Sequence, residues 1–148
     1  MYGGKLPPHD SDAEENAIGS LLIDGTAIYQ IATFLEPGHF YTEQNSLVYE
    51  ACLALYQRDE AIDQITVAQE LARKGKLEVG GGAAYLSRLV SSVATSLHIE
   101  HYAQIVYRLA IMRHLISAGN QISAIGYEAD PDVDAALGRA EDLSLIHI

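Results

Sequence analysis

The sequence has a single cysteine, few basic residues and no long apolar run, and each shortage excludes a class of protein. Cys52 is the only cysteine among 148 residues, so an intrachain disulfide scaffold is excluded and a reducing, cytoplasmic compartment is expected. Nine lysines and arginines against twenty aspartates and glutamates give a formal net charge of −11. We therefore expect no direct DNA or RNA binding, which depends on Lys and Arg displacing counterions. A membrane protein is excluded too, because no run approaches the roughly 18 consecutive apolar residues of a span.

Apolar residues, by contrast, make up 49% of the chain, and a chain of this length can bury a core without disulfides or metal. No segment alternates apolar and polar residues for long enough to predict a strand, whereas apolar residues recur at steps of three and four. The sequence predicts an all-α protein, with a bundle of about five short-to-medium helices and a long helix that starts a helical hairpin. The predicted segments are an extended N-terminal arm (1–10), the bundle (11–94), the long helix with the first part of the hairpin (95–142) and a tail (143–148).

The first two helices are predicted from capping signals. Ser11 and Glu14 have the spacing of a capping box, and apolar residues follow at helical steps over about 12–23. Thr26 is expected to cap a second short helix, which ends before Pro37. Four acidic residues near the first helix are expected to form a solvated first turn, favoured by the helix dipole, rather than a cation site. They are Asp10, Asp12, Glu14 and Glu15.

A wider apolar stripe between residues 42 and 56 is expected to form the centre of the core. Its members are Leu47, Val48, Ala51, Cys52, Leu55 and Tyr56. Cys52 is accordingly interpreted as core filler and not as a nucleophile. The next helix, from Ile65 to Arg73, is followed by Gly75, which is expected at the left-handed C′ position. Tyrosines near the helix stripes are expected to pack with their hydroxyls outward. They are Tyr49, Tyr56, Tyr85, Tyr102 and Tyr107.

Signals for catalysis are weak. Gly80-Gly81-Gly82 would suit a phosphate-binding loop only after a strand and before Gly-Lys-Ser/Thr, and since it has neither, a turn between helices is expected. His98 and His101 are one residue closer together than the histidines of a His-Glu-x-x-His zinc helix, so we interpret them as surface residues. His39, which follows a Pro-Gly pair, is interpreted as a turn residue. The sequence thus predicts no catalytic, cofactor-binding or metal-binding residue.

The longest periodic stretch runs from about residue 97 to 128, with Thr95 or Ser96 as its cap and Asp130-Pro131 after its end. At ~1.5 Å per residue this helix would be about 48 Å long, so one end is expected to project from a globule of roughly 40 Å diameter. Its apolar stripe changes face partway. The first seam, expected to pack on the bundle, comprises Tyr102, Ile105, Leu109, Met112 and Ile116. The second seam is expected to stay partly uncovered by the short helix after Pro131, which predicts a protein interface. The predicted interface residues are Ile111, Leu115, Ala118, Ile122, Ile125, Val133 and Leu137.

Several short segments, in a fixed order between Leu6 and Asp142, carry a family pattern. They are Leu6-Pro-Pro-His-Asp10, Ala13 to Ile23, Phe40-Tyr41, Tyr49-Glu-Ala51, Ile62-Asp63, Thr66-Val67-Ala68, Gly81 to Leu86, Ile99 to Ala103 and Ile105-Val106. Together they resemble the N-terminal domain of bacterial replicative DNA helicases of the DnaB type. Ala94 departs from the pattern, since the family often has Pro in this turn.

The resemblance implies a helical bundle followed by a helical hairpin. In the family this domain forms a collar on a hexameric motor, pairs through its hairpins as a trimer of dimers, and docks the primase and helicase loaders. The RecA-like motor binds ATP with Mg²⁺ and DNA through a Walker A loop, and this sequence contains no Gly-x-x-x-x-Gly-Lys-Ser/Thr. We therefore expect the chain itself to associate with copies of itself, primase and loader, and neither to hydrolyse ATP nor to unwind DNA.

Other functions stay open beside this one. The chain is alternatively a stand-alone helical protein-interaction domain or, less favoured, a small metal- or nucleotide-dependent hydrolase using His98 and His101 or the glycine run. A helix-turn-helix regulator is disfavoured because no predicted helix is basic. The last six residues, Leu143 to Ile148, resemble the translation of a sequencing-library adapter. We expect a truncated reading frame whose native part ends near Asp142.

Overall fold

Helices form all the regular structure of residues 6–144, which are the residues that the computed structural model describes. The α-helices are α1 (Ser11–Ile23), α2 (Glu43–Gln57), α3 (Gln64–Arg73), α4 (Gly82–Ser92), α5 (Ile99–Glu128) and α6 (Val133–Ser144), and 3₁₀ helices span Gly25–Gln30 and Pro37–His39. This part of the chain contains no strand, and none of its helices is long and apolar enough to cross a membrane. The prediction of an all-α fold is confirmed.

The contacts within the chain define two compact units. Residues 9–110 form one, which we call the bundle unit, and residues 111–144 with 6–8 form the described part of the other, the C-terminal unit. Helix α5 runs through the boundary. The segment limits expected from the sequence, 11–94 and 95–142, stay a prediction. Residues 1–5 of the expected arm and 145–148 of the expected tail lie outside the described residues.

Asp10, and not Ser11, caps helix α1. The Asp10 side chain accepts a hydrogen bond from the backbone N–H of Ala13 at 2.9 Å, and Ser11 is already the first helical residue. The predicted Ser11–Glu14 capping box is therefore wrong. Asp10 supplies the N-cap one residue earlier, and the Glu14 side chain turns into the core instead of back to the helix start. The helix ends at Ile23 as predicted.

The second short helix is a 3₁₀ helix, and Thr26 does not cap it. Asp24 accepts from the Thr26 hydroxyl at 2.6 Å and from the Thr26 backbone N–H at 3.1 Å, so Thr26 is the donor. The hydroxyl bond is the main reason why the pKa of Asp24 lies below its ordinary value. A segment this short commonly uses 3₁₀ rather than α-helical bonding. Gly25 also meets a close neighbour, since a Cβ there would lie 2.4 Å from the Ile62 carbonyl oxygen.

Helix α1 lies at the centre of the bundle unit and packs against α2, α3 and α4. Eight of its 13 residues are buried. The stripe predicted for α2 enters the same core, since its Val48, Ala51, Cys52 and Leu55 are buried. Cys52 of α2 is fully buried, and burial raises the pKa of its thiol to about 12. Its interpretation as core filler is confirmed.

A buried polar network joins α1, α2 and α4. Glu14 is only 2% exposed, and it accepts from the Tyr41 backbone N–H at 2.7 Å and from Asn45 Nδ2 at 2.9 Å. Asn45 Oδ1 in turn accepts from the Tyr85 hydroxyl. The Tyr49 hydroxyl also points inward and donates to the Leu35 carbonyl at 2.9 Å. The expectations of a solvated Glu14 and of outward hydroxyls at these two tyrosines are therefore wrong.

A second buried carboxylate, Glu70 of α3, forms ion pairs with three neighbouring cations. It is 2% exposed and pairs with Arg58 at 2.8 Å and Arg73 at 2.9 Å, with Lys74 at 3.5 Å. Hydrogen bonds from Arg58 and Arg73 lower the pKa of Glu70 to about 2. The nearby C-terminus of α3 closes as the sequence predicts, with Gly75 in the left-handed region at φ +68°.

Helix α5 buries a different stripe from the one predicted. It begins at Ile99, two residues later than expected, and Thr95 accepts from the Leu97 N–H before the helix rather than capping it. Its buried stripe steps by four, three and four residues. The members are Ile99, Ala103, Val106 and Ala110. The first seam packs on the bundle only in part, because its Tyr102 and Ile105 are half-buried against the core whereas its Met112 and Ile116 are exposed.

Gly19 of α1 allows a close contact with the end of α4, and its substitution tests this packing. A Cβ at Gly19 would lie 2.6 Å from Val93 Cγ2 and 3.0 Å from the Leu89 carbonyl oxygen. Gly19→Ala is therefore expected to destabilise the fold by about 1–3 kcal/mol, although Ala is the better helix former. The measurement is the free energy of unfolding in urea.

Gly119 of α5 is the matched control, because nothing lies within 4 Å of a Cβ placed there. Gly119→Ala is expected to stabilise its helix by about 0.5–1 kcal/mol, the ordinary helix-propensity gain. If both substitutions changed the free energy of unfolding in the same direction, the close contact of α1 with α4 would be contradicted.

Glu70→Gln is expected to lower the free energy of unfolding at pH 7 by about 1–2 kcal/mol, since the carboxylate is buried but its arginine partners are exposed and screened. The folded-state pKa lies below the ordinary 4.5, so the stabilisation is complete above that value and is lost as the pH falls toward about 2. The difference in the free energy of unfolding between the wild type and Glu70→Gln, which we call the gap, should become smaller as urea unfolding is repeated from pH 7 down to pH 3. Glu50→Gln, at an exposed position of α2, should show no such gap. A gap at Glu70 that stays constant down to pH 3 would refute the ion-pair account.

Candidate protein-interaction surface

The turn between α5 and α6 contains residues that end the first helix and cap the start of the second. Helix α5 ends at Glu128 as predicted, and Ala129 follows with φ +52°. Asp130 accepts from the Asp132 backbone N–H at 2.9 Å, and Asp132 accepts from the Ala135 N–H at 3.1 Å. The second bond satisfies a donor in the first turn of α6. The chain therefore reverses into a second helix within four residues, 129–132.

The C-terminal unit exposes large apolar side chains. Leu115 is 55% exposed, Val133 63% and Leu137 55%, whereas Ile122 and Ile125 are half-buried. Ile111 and Ala118 are buried, so they are the members of the predicted interface that solvent reaches least. The seven predicted residues are thus divided between exposed, half-buried and buried positions.

Two exposed apolar residues were assigned to the wrong seam by the sequence. Met112 and Ile116 are both exposed and flank Leu115 on α5, so they group with the exposed apolar residues and not with the buried ones. The signal that could have found them is helical spacing, since residues 112, 115 and 116 lie on one side of a helix. We call the exposed set the α5/α6 apolar surface, which consists of Met112, Leu115, Ile116, Val133 and Leu137.

Helix α6 is loosely covered. It has no buried residue among those described, and a groove of about 460 Å³ runs between it and the end of α5. An ion pair of 2.8 Å between Arg139 and Glu128 spans the two helices. The groove is lined by Gln121, Ala124, Ile125, Glu128, Arg139, Asp142 and Leu143. Uncovered apolar surface costs about 25 cal/mol per Å² relative to burial, so a partner that covers this unit would stabilise it.

Charge is uneven along the C-terminal unit. Six carboxylates lie between residues 128 and 142, against the single cation Arg139. The α5/α6 apolar surface therefore has an acidic end. A partner with basic residues beside an apolar patch would match it, because charge complementarity guides register and association.

The glycine run cannot serve as a phosphate cradle in this fold. Its three backbone N–H groups donate to the carbonyls of Lys76, Glu78 and Leu77 at 2.8–3.1 Å, so they are not free to bind an anion. A Cβ on Gly82 would lie 3.7 Å from a Glu78 carboxylate oxygen, and that charge repels phosphate. Gly81, at φ +100°, leads directly into α4. The expectation of a turn between helices is confirmed.

The histidines considered for chemistry have structural surroundings. His98 and His101 are exposed, as expected of surface residues. His39 lies in the second 3₁₀ helix, where its Nδ1 accepts from the Glu36 backbone N–H at 2.9 Å and its ring meets Tyr107 edge to face. Its interpretation as a turn residue is confirmed. Among the residues that the structure describes, no group of three His, Cys, Asp or Glu side chains could hold a metal ion.

Comparison with known proteins agrees with the bundle and its following helices. Residues 6–108 match the model of a family described as the DnaB-like helicase N terminal domain. The chain belongs to this family. A solved structure of the N-terminal domain of DnaB helicase from Mycobacterium tuberculosis superposes with a TM-score of 0.90 at 38% identity, covering 95% of this chain and 100% of that one.

The DnaB-like domain is also similar to longer proteins. The replicative DNA helicase DnaB of Leifsonia xyli subsp. xyli is 39% identical over 129 residues, which cover 87% of this chain. This chain spans only 28% of that relative's length. A structure of a DnaB-like replicative helicase, described together with its interactions with primase, has a TM-score of 0.71 and 27% identity, covering 90% of this chain and 31% of that one.

The DnaB-like domain is expected to show no saturable binding of ATP with Mg²⁺ up to about 1 mM, because the glycine amides are already engaged. Isothermal titration measures this directly, with a protein that carries a Walker A loop as the positive control. A dissociation constant below about 1 mM would revive the hydrolase hypothesis.

Proposed function

We propose that this chain is the N-terminal collar domain of a replicative DNA helicase, and that it assembles subunits and docks the primase and a helicase loader. The observation that carries the proposal is the contrast between the two units. The bundle unit has a continuous buried core that includes the carboxylates of Glu14 and Glu70, whereas α6 of the C-terminal unit has no buried residue among those described and Leu115, Val133 and Leu137 are largely exposed. Such surface is costly in water and is typical of a protein interface.

Self-association through α5 and α6 is the first part of the proposal. The α5/α6 apolar surface is carried by two helices joined by a four-residue turn, 129–132, which is a form that a second copy can match in a symmetric dimer. The buried or half-buried members of the predicted interface, Ile111, Ala118, Ile122 and Ile125, would support or extend this contact. In the family, three such dimers form the collar of a hexamer.

Docking of primase and loader is the second part. The similar DnaB-like helicase is described with its interactions with primase, and family membership supports the same role here. The acidic end of the C-terminal unit favours a partner with basic residues beside its apolar patch.

The catalytic work belongs to the remainder of a longer protein. Since the chain spans about a quarter of the Leifsonia relative and has no Walker A motif, the absent part would bind ATP and Mg²⁺ and unwind duplex DNA in the cytoplasm. The net charge of −11 fits a domain that handles proteins and leaves DNA to that motor.

Leu115→Asp tests self-association, because a charge placed in an apolar contact must be desolvated. Sedimentation equilibrium of the wild-type chain at about 100 μM is expected to show a dimer or higher oligomer, and Leu115→Asp should weaken association at least tenfold, or about 1.4 kcal/mol. Ile65→Asp, on α3 of the bundle unit, is the matched control, since Ile65 is also largely exposed. Its association should equal that of the wild type.

The same sedimentation experiment, repeated with primase added, tests the docking part of the proposal. Adding the primase of the same organism should produce a complex that sediments faster, with or without ATP, because the sequence of this chain has no Walker A motif. A wild-type chain that stays monomeric and fails to bind primase at about 100 μM would overturn the collar assignment. A monomer that binds primase would leave docking in place but remove self-association, and the chain would then act as a stand-alone interaction domain.

A further inference from the structure

An aromatic groove lies on the bundle unit, where the first 3₁₀ helix faces the end of α2. Its volume is about 310 Å³. Tyr29 is 65% exposed, and its ring meets that of Tyr56 edge to face, with centroids 5.3 Å apart. The lining residues are Gly25, Thr26, Ile28, Tyr29, Tyr56, Asp59, Glu60, Ala61 and Ile62. The groove thus offers an exposed ring supported by a half-buried one.

The groove is rigidly built. Ile28 and Ile62 are buried, and Gly25 sits so close to Ile62 that a Cβ would overlap its carbonyl oxygen. The loop after α2 is held by backbone bonds, from the Asp59 N–H to the Tyr56 carbonyl at 3.1 Å and from the Glu60 N–H to the Leu55 carbonyl at 2.9 Å. A ligand would therefore meet a preformed surface, which lowers the entropic cost of binding.

The rim of the groove carries two carboxylates, Glu60 and Asp59, of which only Glu60 has an ion-pair partner within the described part of the chain. Glu60 is held by Arg58 through bonds of 3.2 Å and 3.0 Å. Asp59 forms no ion pair among residues 6–144, and its backbone lies in the left-handed region at φ +57°. Asp59 and Tyr29 both line the groove, so a cation bound there would meet an unpaired carboxylate and a ring whose face carries negative potential.

We propose that this groove binds an arginine side chain presented by a basic segment of a partner protein. The guanidinium would stack on Tyr29 while donating to the Asp59 carboxylate. Arginine fits better than lysine because its planar guanidinium stacks on a ring and donates two parallel bonds to a carboxylate. Nucleic acid is disfavoured as the occupant, because its phosphates would face Asp59 and Glu60.

The proposal goes beyond the collar function, because it places a second contact on the bundle unit, separate from the α5/α6 apolar surface. Its test is therefore independent of self-association. Leu115→Asp should leave arginine binding unchanged, so a failure of the collar assignment and a failure of this site can be told apart.

The test titrates the full ¹⁵N-labelled chain with the blocked peptide acetyl-Gly-Ser-Arg-Ser-Gly-amide and follows its amide signals by NMR. The expected result is saturable shifts confined to residues 25–29 and 56–62, with a dissociation constant of about 0.1–5 mM, as befits one side chain. The same peptide with citrulline, a neutral analogue of arginine, should bind at least fivefold more weakly. Lysine in place of arginine should also weaken binding.

Substitutions separate the ring from the charge. Tyr29→Ala should weaken binding about tenfold, Tyr29→Phe less than twofold because the ring is kept, and Asp59→Asn at least threefold, since Asn tolerates the left-handed backbone but lacks the charge. Tyr127→Ala, at an exposed tyrosine outside the bundle unit, is the control and should bind as the wild type does. Equal binding of the citrulline peptide, shifts spread over the whole acidic surface, unchanged binding in Asp59→Asn, or no binding at about 10 mM would each overturn the proposal. The wild-type titration and Asp59→Asn decide the matter even if Tyr29→Ala fails to fold.

Discussion

The carboxylate of Glu14 is the constraint on which the bundle depends. A charge placed in a protein interior costs several kcal/mol unless hydrogen bonds replace its water. Here the Tyr41 backbone and the Asn45 amide do so, and Asn45 is itself completed by the Tyr85 hydroxyl. Because these groups come from α1, the start of α2 and α4, the network is satisfied in one arrangement of the three helices. Apolar packing alone would tolerate small shifts between them.

Close packing of α1 against α4 adds to that constraint. Gly19 brings the helices within reach of each other, and Glu70 similarly ties α3 to the end of α2 through Arg58. No buried side-chain nitrogen or oxygen in the described residues lacks a hydrogen-bond partner. The bundle unit thus satisfies its buried polar groups within itself. In the C-terminal unit, by contrast, α6 has no buried residue among those described, and Leu115, Val133 and Leu137 stay in contact with solvent.

Local signals in the sequence predicted most helices and failed where several signals competed. Pro37, Gly75 and Asp130 each mark the end of a helix without a competing signal nearby, so the turns at these positions were predicted. At the start of α1, Asp10 and Ser11 are both good caps, and spacing could not choose between them. Along α5, two apolar seams were visible, yet the most deeply buried stripe is a third one containing Ala103 and Ala110. Alanine is weak evidence of burial in a sequence, because it suits an exposed helix equally well.

The sequence by itself determined the helical class, the family and the absence of a nucleotide-binding motif, because periodicity and motif order are local properties of the chain. It also predicted that apolar residues such as Leu115 and Leu137 form a protein interface. Only the tertiary structure decided that Glu14 and Tyr85 point inward, that Met112 and Ile116 are exposed, and that Tyr29 and Tyr56 meet in a groove that Asp59 also lines. These depend on which helices meet and from which side, and contacts between residues distant in sequence are set by the packing of the whole core.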